Sequence, residues 1–337
     1  MTFKREKVLI KTDTETDIVA VGECLIDFVS GQHADTLVLE GHPGGAPANV
    51  LAMAAKLRCS TQMIAKVGMD AFGSFLIEQL KKAKIGTTGM VQAKKEPTTL
   101  AIVSLDTTGN RSFGFYRNRM ADVQLEFSEI DKTLLKTCKL FHFGSVSMTS
   151  EPARSATLKA ALMAKEAGAL ISYDPNLRAP LWEDLAQAKK LILEGMRLAD
   201  VVKLSGEELE FLSSADLKTG TELLYQKYKM KLLAITLGAD GCVCRMEQGV
   251  FTSATFDVSC VDTTGAGDAF WGAVLASILK EPIPLENYSP EQINALLDFA
   301  NAAGALATTK KGAIPAMPDE KQIQNCIETM LRCRQGT

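Results

Sequence analysis

From Lys139 onward, short and uninterrupted apolar runs alternate with longer segments of helical periodicity. We predict strands at 139–144, 169–174, 200–204 and 231–237, and helices at 151–165 and 181–198. Apolar runs of about four to eight residues without polar alternation are typical of strands that a parallel sheet buries on both faces. The repeated order of strand and helix therefore predicts a doubly wound α/β core.

A different pattern occurs nearer the N-terminus. Thr99–Leu105 and Arg111–Tyr116 are strand-like and flank the turn residues 106–110, which indicates a β-hairpin. Leu25–Phe28 and Asp35–Leu39 could add two more strands to it. We expect a small antiparallel sheet inserted near the start of the core, in the position of a lid. An exposed edge of such a sheet would make a homodimer through the lid conceivable.

Composition excludes several classes of protein. The 337 residues carry 37 basic and 40 acidic side chains, a formal charge of −3, which does not suit a polybasic nucleic-acid binder. No apolar stretch reaches the roughly 18 residues that span a bilayer. Residues 1–16 are polar and lack a signal-peptide core, and the eight scattered cysteines suit reduced thiols. We expect a cytoplasmic protein with a leader at 1–16, one domain at 17–320 and a C-terminal helix or tail at 321–337.

One segment joins three small residues, Gly265–Gly267, to an apolar helical run, with Asp268 in the predicted first turn. The free N–H groups of such a helix start can bind an anion. Ala273 stands where a Walker A loop requires Lys, and Phe270 stands where a dinucleotide fingerprint requires Gly. An ordinary helix start with Thr264 as cap explains the segment equally well.

A second segment contains Gly44 and Gly45, then Pro47 at a predicted helix start, then Asn49. The glycines leave room for a ligand against the backbone, and Asn49 has the donor and the acceptor needed to bind a hydroxyl. A tight turn before the helix is the simpler explanation. Asp27 ends an apolar strand, either as a turn carboxylate or as an acceptor for hydroxyl groups.

In combination these motifs resemble the ribokinase/PfkB family of carbohydrate kinases, most closely its fructokinases. The family's first signature is similar to Gly44–Asn49 followed by 67–73, and its second to Asp262–Asp268. Passages similar to those of fructokinases occur, in the family's order, at 115–118, 173–178, 304–306 and 312–315. The resemblance covers nearly the whole chain, from about Ile18 to Pro318.

The resemblance implies a three-layer α/β/α domain with a β lid, and phosphorylation of a sugar hydroxyl by ATP with Mg²⁺. Fructose, converted to fructose 6-phosphate, is the expected substrate. Ribose, 2-keto-3-deoxygluconate or a nucleoside are alternatives, as is a non-catalytic binding protein of the same fold. The family assigns the general base to Asp268 and the anion hole to Gly265, Ala266 and Gly267. We expect the helix start to keep Asp268 ionised.

Further roles follow from the resemblance alone. For the sugar, it implies contacts from Asp27, Gly44, Gly45, Asn49, Arg117 and Arg178. Arg117 could instead be an exposed lid charge, and Arg178 could instead pair with Asp174. For the nucleotide, it implies contacts from Lys203, Ser205, Thr236, Gly238, Gly241 and Asn301. Glu208 would act on Mg²⁺ through water, although Ser205 replaces the family's usual Asn. Asp262 and Thr264 correspond to positions that hold a monovalent cation such as K⁺.

Overall fold

The computed structural model describes residues 15–33, 36–105 and 111–329. Residues 30–33, 103–105 and 111–113 are described through their backbone only. Most of the predicted leader 1–16, the hairpin turn 106–110, Asp35 and the end of the predicted tail lie outside the described residues. The domain boundaries therefore stay predictions.

The described residues form strands that are numbered here in chain order. They are β1 Thr16–Val21, β2 Leu25–His33, β3 Thr36–Gly44, β4 Thr61–Gly68, β5 Met90–Ala93, β6 Leu100–Leu105, β7 Arg111–Tyr116, β8 Cys138–Phe143, β9 Leu170–Tyr173, β10 Val201–Ser205, β11 Leu232–Thr236, β12 Cys242–Met246 and β13 Gly249–Ser253. The main sheet has the order β13-β12-β11-β10-β9-β8-β1-β4-β5. Its strands are parallel from β11 to β5, and β12 and β13 add an antiparallel edge.

Helices cover both faces of this sheet. They are α1 Ala46–Lys56, α2 Ala71–Lys82, α3 Lys132–Thr137, α4 Ala153–Glu166, α5 Leu185–Met196, α6 Gly206–Ser213, α7 Leu217–Tyr228, α8 Ala266–Lys280, α9 Pro290–Ala307 and α10 Glu320–Thr329. One apolar core packs α1, α8 and α9 against the sheet, and a second packs α4, α5 and α7 against the opposite face. Since apolar residues alternate between the two faces of each strand, both cores share the same strands. The three-layer α/β/α prediction is confirmed.

Helix α5 begins later than predicted, at Leu185 instead of Leu181. The carboxylate of Asp184 accepts hydrogen bonds from the backbone N–H groups of Ala186 and Gln187, which makes Asp184 the N-cap. Residues 179–181 form a separate 3₁₀ turn. The local capping bond, which apolar periodicity does not reveal, fixes the helix start.

A separate four-stranded sheet, the lid, has the order β3-β2-β6-β7. It contains the predicted hairpin β6–β7, and β2 and β3 are longer than predicted. The expectation of a purely antiparallel lid is wrong, because β2 and β6 run parallel, with Ile26 opposite Leu100. The lid exposes apolar side chains on β3, where Leu37 is 70% exposed. Within the part of the chain that the structure describes, this end of β3 thus has no covering layer.

No helix within the described residues has the length and apolar character needed to cross a membrane.

Candidate active site

A cavity of about 590 Å³ lies between the lid and the main domain. Its walls come from the lid strands β2 and β3, the start of α1, the loop after β9 and the start of α8. The loop at 311–313 closes another side. Ligand sites of open α/β sheets lie at the carboxyl ends of the parallel strands. The cavity lies there, and the lid forms its outer wall.

The floor of the cavity is the start of helix α8. Gly265 is the N-cap, with a φ of 81°, and a Cβ there would lie 2.6 Å from the Cβ of Ala313. The alternative in which Thr264 caps the helix is therefore wrong. Thr264 instead donates its backbone N–H and hydroxyl to Asp262. The backbone N–H of Ala266 donates to the carbonyl of Thr263 at 3.3 Å, whereas Gly267 lines the cavity and carries no bulky side chain, as an anion hole requires. The role of Ala266 in an anion hole stays a prediction.

Asp268 lies in the first turn of α8 and is only 8% exposed. The side-chain amide of Asn49 donates a 2.8 Å hydrogen bond to its Oδ2 atom. Burial raises the pKa of Asp268, the charge of Asp174 adds to that rise, and Lys203 and the Asn49 bond oppose it. Desolvation thus has the largest effect on this carboxyl and raises its pKa, and the expectation that the helix start keeps Asp268 ionised stays a prediction.

Asn49 links this carboxyl to the cavity wall. Its Oδ1 atom is buried and has no hydrogen-bond partner among the described residues. Asn49 also lines the cavity. A buried acceptor without a partner is costly, and a ligand hydroxyl that donates to Oδ1 would remove that cost. The amide therefore offers one face to Asp268 and the other to a ligand.

Lys203 and Asp174 form a buried ion pair behind the floor, with 2.7 Å between Nζ and Oδ2. Burial opposes the charge of Lys203, yet the carboxylates of Asp174, Glu208 and Asp268 outweigh it and raise the pKa of this ammonium group. A Cβ on Gly267 would lie 3.3 Å from the Nζ atom. The positive charge thus lies beside the backbone of the predicted anion hole, where it can face a phosphoryl group.

Asp174 therefore pairs with Lys203, and the alternative in which Arg178 forms that ion pair is wrong. The guanidinium of Arg178 lines the cavity and donates to Asn176 Oδ1 at 2.5 Å. Its positive charge opposes the rise in pKa that burial causes in both Asp27 and Asp268. Arg178 thus lies near Asp27 and Asp268, and its contact with a transferred phosphoryl group stays a prediction.

Asp27 lines the cavity from β2, and burial raises its pKa to about 6. The two predicted glycines fit closely against their surroundings. A Cβ on Gly44 would lie 1.9 Å from Asp27 Oδ2, and one on Gly45, whose φ is 116°, would lie 2.3 Å from the carbonyl oxygen of Glu23. The protein itself therefore requires glycine at both positions, in addition to any ligand.

Arg117 follows lid strand β7 and is only 7% exposed, so the alternative of an exposed lid charge is wrong. Its Nε atom donates to Asp122 at 2.6 Å, and its two other nitrogens donate to Thr149 Oγ1 and to the carbonyl of Val146. These bonds hold Arg117 at the root of the lid. Its contact with the sugar stays a prediction.

Ser205 and Glu208 form a capping box at the start of α6. Glu208 Oε2 accepts the backbone N–H of Ser205 at 2.8 Å, and Oε1 accepts that of Leu177 at 2.6 Å. Because both oxygens already accept hydrogen bonds, this carboxylate suits a metal contact through water better than a direct one. Among the described residues, no group of three or more His, Cys, Asp or Glu side chains could hold a metal ion.

The other predicted nucleotide residues lie near the sheet edge around β11 and β13. The side-chain amide of Asn301 is buried and donates to the carbonyl and hydroxyl oxygens of Ser253, so it fastens α9 to β13. Thr236 donates to the carbonyl of Leu204. Gly238 and Gly241 both have positive φ, and a Cβ on Gly238 would meet nothing within 4 Å. Their contacts with a nucleotide stay predictions.

Asp262 shapes the loop before α8. Its Oδ1 atom accepts both bonds from Thr264, and Oδ2 accepts the backbone N–H of Gly312 at 3.0 Å. The carboxylate thereby joins two loops at the cavity wall. The monovalent cation that the resemblance assigns to Asp262 and Thr264 stays a prediction.

The sequence-based reasoning missed Glu23, which lines the cavity and is 5% exposed. Its Oε1 atom accepts the backbone N–H of Ala46 at 2.9 Å, and burial raises its pKa to about 7. The signal was a charged residue between Gly22 and Cys24, at the end of a buried strand, where an acid requires a partner.

Comparisons with known proteins agree with this geometry. A model of the pfkB family of carbohydrate kinases matches residues 15–320. A probable fructokinase-2 of Arabidopsis thaliana is 43% identical over 315 residues, which cover 91% of this chain and 94% of the plant protein. Both matches span the main domain and the lid.

Solved structures of fructokinases share the fold. The Xylella fastidiosa fructokinase with bound ATP superimposes with a TM-score of 0.86 at 34% identity, over 93% of this chain and 98% of its own. A double mutant of the Vibrio cholerae O395 fructokinase, in a form with fructose, ADP and potassium bound, gives a TM-score of 0.83 at 30% identity, over 93% and 99%.

Proposed function

Because the chain belongs to the pfkB family of carbohydrate kinases, we propose that it is a fructokinase. It transfers the γ-phosphoryl group of ATP to the primary hydroxyl of D-fructose. The products are fructose 6-phosphate and ADP. The observation that carries this proposal is the Asp268 carboxylate, held by Asn49 at an anion-binding helix start. The relatives named above, which are fructokinases, support the choice of sugar.

The chemistry begins with the proton of the attacking hydroxyl. Asn49 holds Oδ2 of Asp268, which leaves Oδ1 to accept that proton while the hydroxyl oxygen forms its bond to the γ-phosphorus. The bond between this phosphorus and the bridging oxygen breaks at the same time, and ADP leaves with the electron pair. The raised pKa of Asp268 brings the base closer to neutral pH, where proton transfer is more favourable.

Charge on the transferred group is stabilised by the floor of the cavity. In phosphoryl transfer the negative charge spreads over the equatorial oxygens, so catalysis depends mainly on positioning and electrostatics. The N–H groups at Gly265–Gly267 and the ammonium of Lys203, which is near Gly267, would lie on one side of these oxygens. Arg178 approaches from the loop after β9. Together they replace the water that lid closure would exclude.

Mg²⁺ and K⁺ fit this site in different ways. Mg²⁺, held mainly by the nucleotide phosphates, would neutralise part of their charge, and Glu208 would orient its water ligands. We expect K⁺ near the loop of Asp262 and Thr264 to increase activity. The potassium-bound Vibrio cholerae relative motivates that expectation.

An assay of ADP release tests the proposal. Fructose, ribose, 2-keto-3-deoxygluconate and adenosine are compared as acceptors, each with and without K⁺ and with Mg²⁺ present. We expect the highest kcat/KM with fructose, and a product whose phosphate is on the primary carbon by NMR. ADP release with another acceptor but not with fructose would overturn the assignment of the sugar.

We also propose that two copies associate through their lids. Leu37, Val38 and Leu39 on β3 and Tyr116 on β7 are 70%, 47%, 38% and 58% exposed, which is unusual for one small sheet. Both β3 and β7 are edge strands, and edge strands can pair with another chain. Sedimentation velocity over a range of concentrations tests this, since a monomer at all concentrations would contradict it.

A cytoplasmic location is part of the same proposal. Four described cysteines, Cys24, Cys138, Cys242 and Cys244, are free thiols within the apolar cores, which suits a reducing compartment. Fractionation of cells that express the full chain tests it.

A further inference from the structure

Helix α1 begins without a cap of its own. Its N-cap is Gly45, which has no side chain to accept the first N–H groups, and Gly44 precedes it. Two consecutive glycines have more conformational freedom than any other pair of residues. Asn49, which contacts the base, lies in the first turn of this helix. Something outside the helix must therefore hold this turn.

Glu23 supplies that external contact. Its Oε1 atom accepts the N–H of Ala46 at 2.9 Å, and its carbonyl oxygen packs against Gly45. The charged groups that act on this carboxylate come from the root of the lid, where Arg117 favours its charge and Asp122 opposes it. The neighbouring Cys24 thiol has its pKa raised to about 12 and stays neutral. The carboxylate lies in the cavity wall as well.

We propose that Glu23 is a positioning residue for sugar binding: its ionised carboxylate holds the turn Gly44–Ala46, and through it Asn49, in the conformation that binds the sugar. When only a fraction of the molecules have the competent turn, the apparent sugar affinity falls by that fraction. Bound sugar restores the turn, so kcat at saturating sugar changes little. The effect is thus confined to the KM for the sugar.

The charge of Glu23 matters because a carboxylate is a stronger acceptor than a carboxyl group. Burial raises the pKa of Glu23 to about 7, so the stronger bond forms as the pH rises through that value. Asp27, whose pKa is raised to about 6, also lines the cavity and could affect sugar binding. In Glu23→Gln, whose side chain is neutral at every pH, the pH dependence of sugar binding that Glu23 causes disappears, and that of Asp27 remains.

The test compares Glu23→Gln and Glu23→Ala with the control Glu194→Gln, which alters an exposed glutamate on α5. At pH 8 we expect Glu23→Gln to raise the KM for fructose about five- to ten-fold and Glu23→Ala to raise it more, with the KM for ATP and kcat nearly unchanged. The sugar KM of the wild type should fall between pH 6 and 8 by more than that of Glu23→Gln, which keeps only the dependence that Asp27 causes. An unchanged sugar KM in both variants, or an equal loss of kcat, would overturn the proposal.

Two measurements keep the inference separate from folding and from the identity of the sugar. The raised pKa means that the fold favours the protonated form of Glu23. Ionisation of Glu23 therefore destabilises the wild type as the pH rises from about 4.5 to about 7, and Glu23→Gln should melt no lower than the wild type at pH 8.

The inference rests on the proposed function only for its sugar. If the wild type does not phosphorylate fructose, that function fails, and amide exchange still decides: residues 44–49 should exchange faster in Glu23→Ala than in Glu194→Gln. Unchanged exchange would overturn the inference.

Discussion

The floor of the cavity and its lid differ in the exposure and the hydrogen bonding of their side chains. On the floor, Asp268, Asn49, Lys203 and Asp174 are each less than a tenth exposed and hydrogen-bonded to one another in pairs. On the lid, β3 exposes most of its apolar side chains, and Leu37 is 70% exposed. Charges in a dry, fixed site act strongly on a transition state, whereas exposed side chains on a small sheet adapt at little cost. This difference supports our proposals that the chemical step takes place on the floor and that the lid encloses the substrate and mediates association.

The largest effect should follow from removal of the base. Asp268→Asn keeps the shape of the side chain and its bond to Asn49 but accepts no proton, so we expect kcat to fall by about 10²–10⁴. Steady-state kinetics with saturating ATP and fructose measures this loss. A near-normal kcat in a folded Asp268→Asn protein would remove Asp268 from its role.

The next effect tests the charge beside the anion hole. Lys203→Met should lower kcat by about 10²-fold, since removal of one group that stabilises transition-state charge costs about that much. It also leaves Asp174 buried without its partner, which destabilises the fold by about 3–5 kcal/mol. The double variant Lys203→Met/Asp174→Asn should recover the melting temperature but not the rate. Recovery of both the melting temperature and kcat would mean that the ion pair has only a structural role.

A smaller effect concerns the pH profile of the floor. The hydrogen bond from Asn49 lowers the pKa of Asp268, so Asn49→Ala should raise that pKa further. Because the ionised carboxylate is the base, the acid limb of kcat against pH should move to higher pH. Rates measured at saturating substrate from pH 5 to 9 show the shift. An acid limb at the wild-type position would mean that the bond does not act on the base.

The smallest effect on catalysis should come from the lid surface. Leu37→Ser should leave kcat nearly unchanged, yet raise the dissociation constant of the lid-mediated dimer about ten-fold or more, since burial of a leucine contributes about 1.5–3 kcal/mol. Leu162→Ser is the matched control, because that leucine is 45% exposed on α4, outside the lid. Sedimentation equilibrium compares the two variants. Equal dissociation constants would place the interface elsewhere.

The sequence predicts the floor better than the lid for a physical reason. Apolar runs such as 169–174 identify buried parallel strands, because burial on both faces leaves a continuous pattern. Strand β3 is mostly exposed, so its polar and apolar residues follow no clear alternation, and the predicted segment 35–39 covers only four of its nine residues, Thr36–Leu39. The parallel pairing of β2 with β6 depends on contacts between distant segments, which local patterns do not contain.

Among site residues, the difficulty lies in the choice of partner. Asp268 follows from its place at the helix start and from the resemblance. The engagement of Arg117 with Asp122, and of Asn301 with Ser253, depends on which polar groups the fold buries together. The role of Glu23 is hard to predict because its carboxylate is bound by backbone N–H groups, which every residue except proline has.

The parallel ladder between β2 and β6 has a consequence for how the molecule assembles. Ile26 and Leu100 face each other across it, and α1, β4, α2 and β5, which all belong to the main domain, lie between them in the chain. Closing so long a loop costs entropy before any lid contact forms. We therefore expect the two halves of the lid to meet only after the intervening segment has folded. We expect the lid to be the last part to form during refolding.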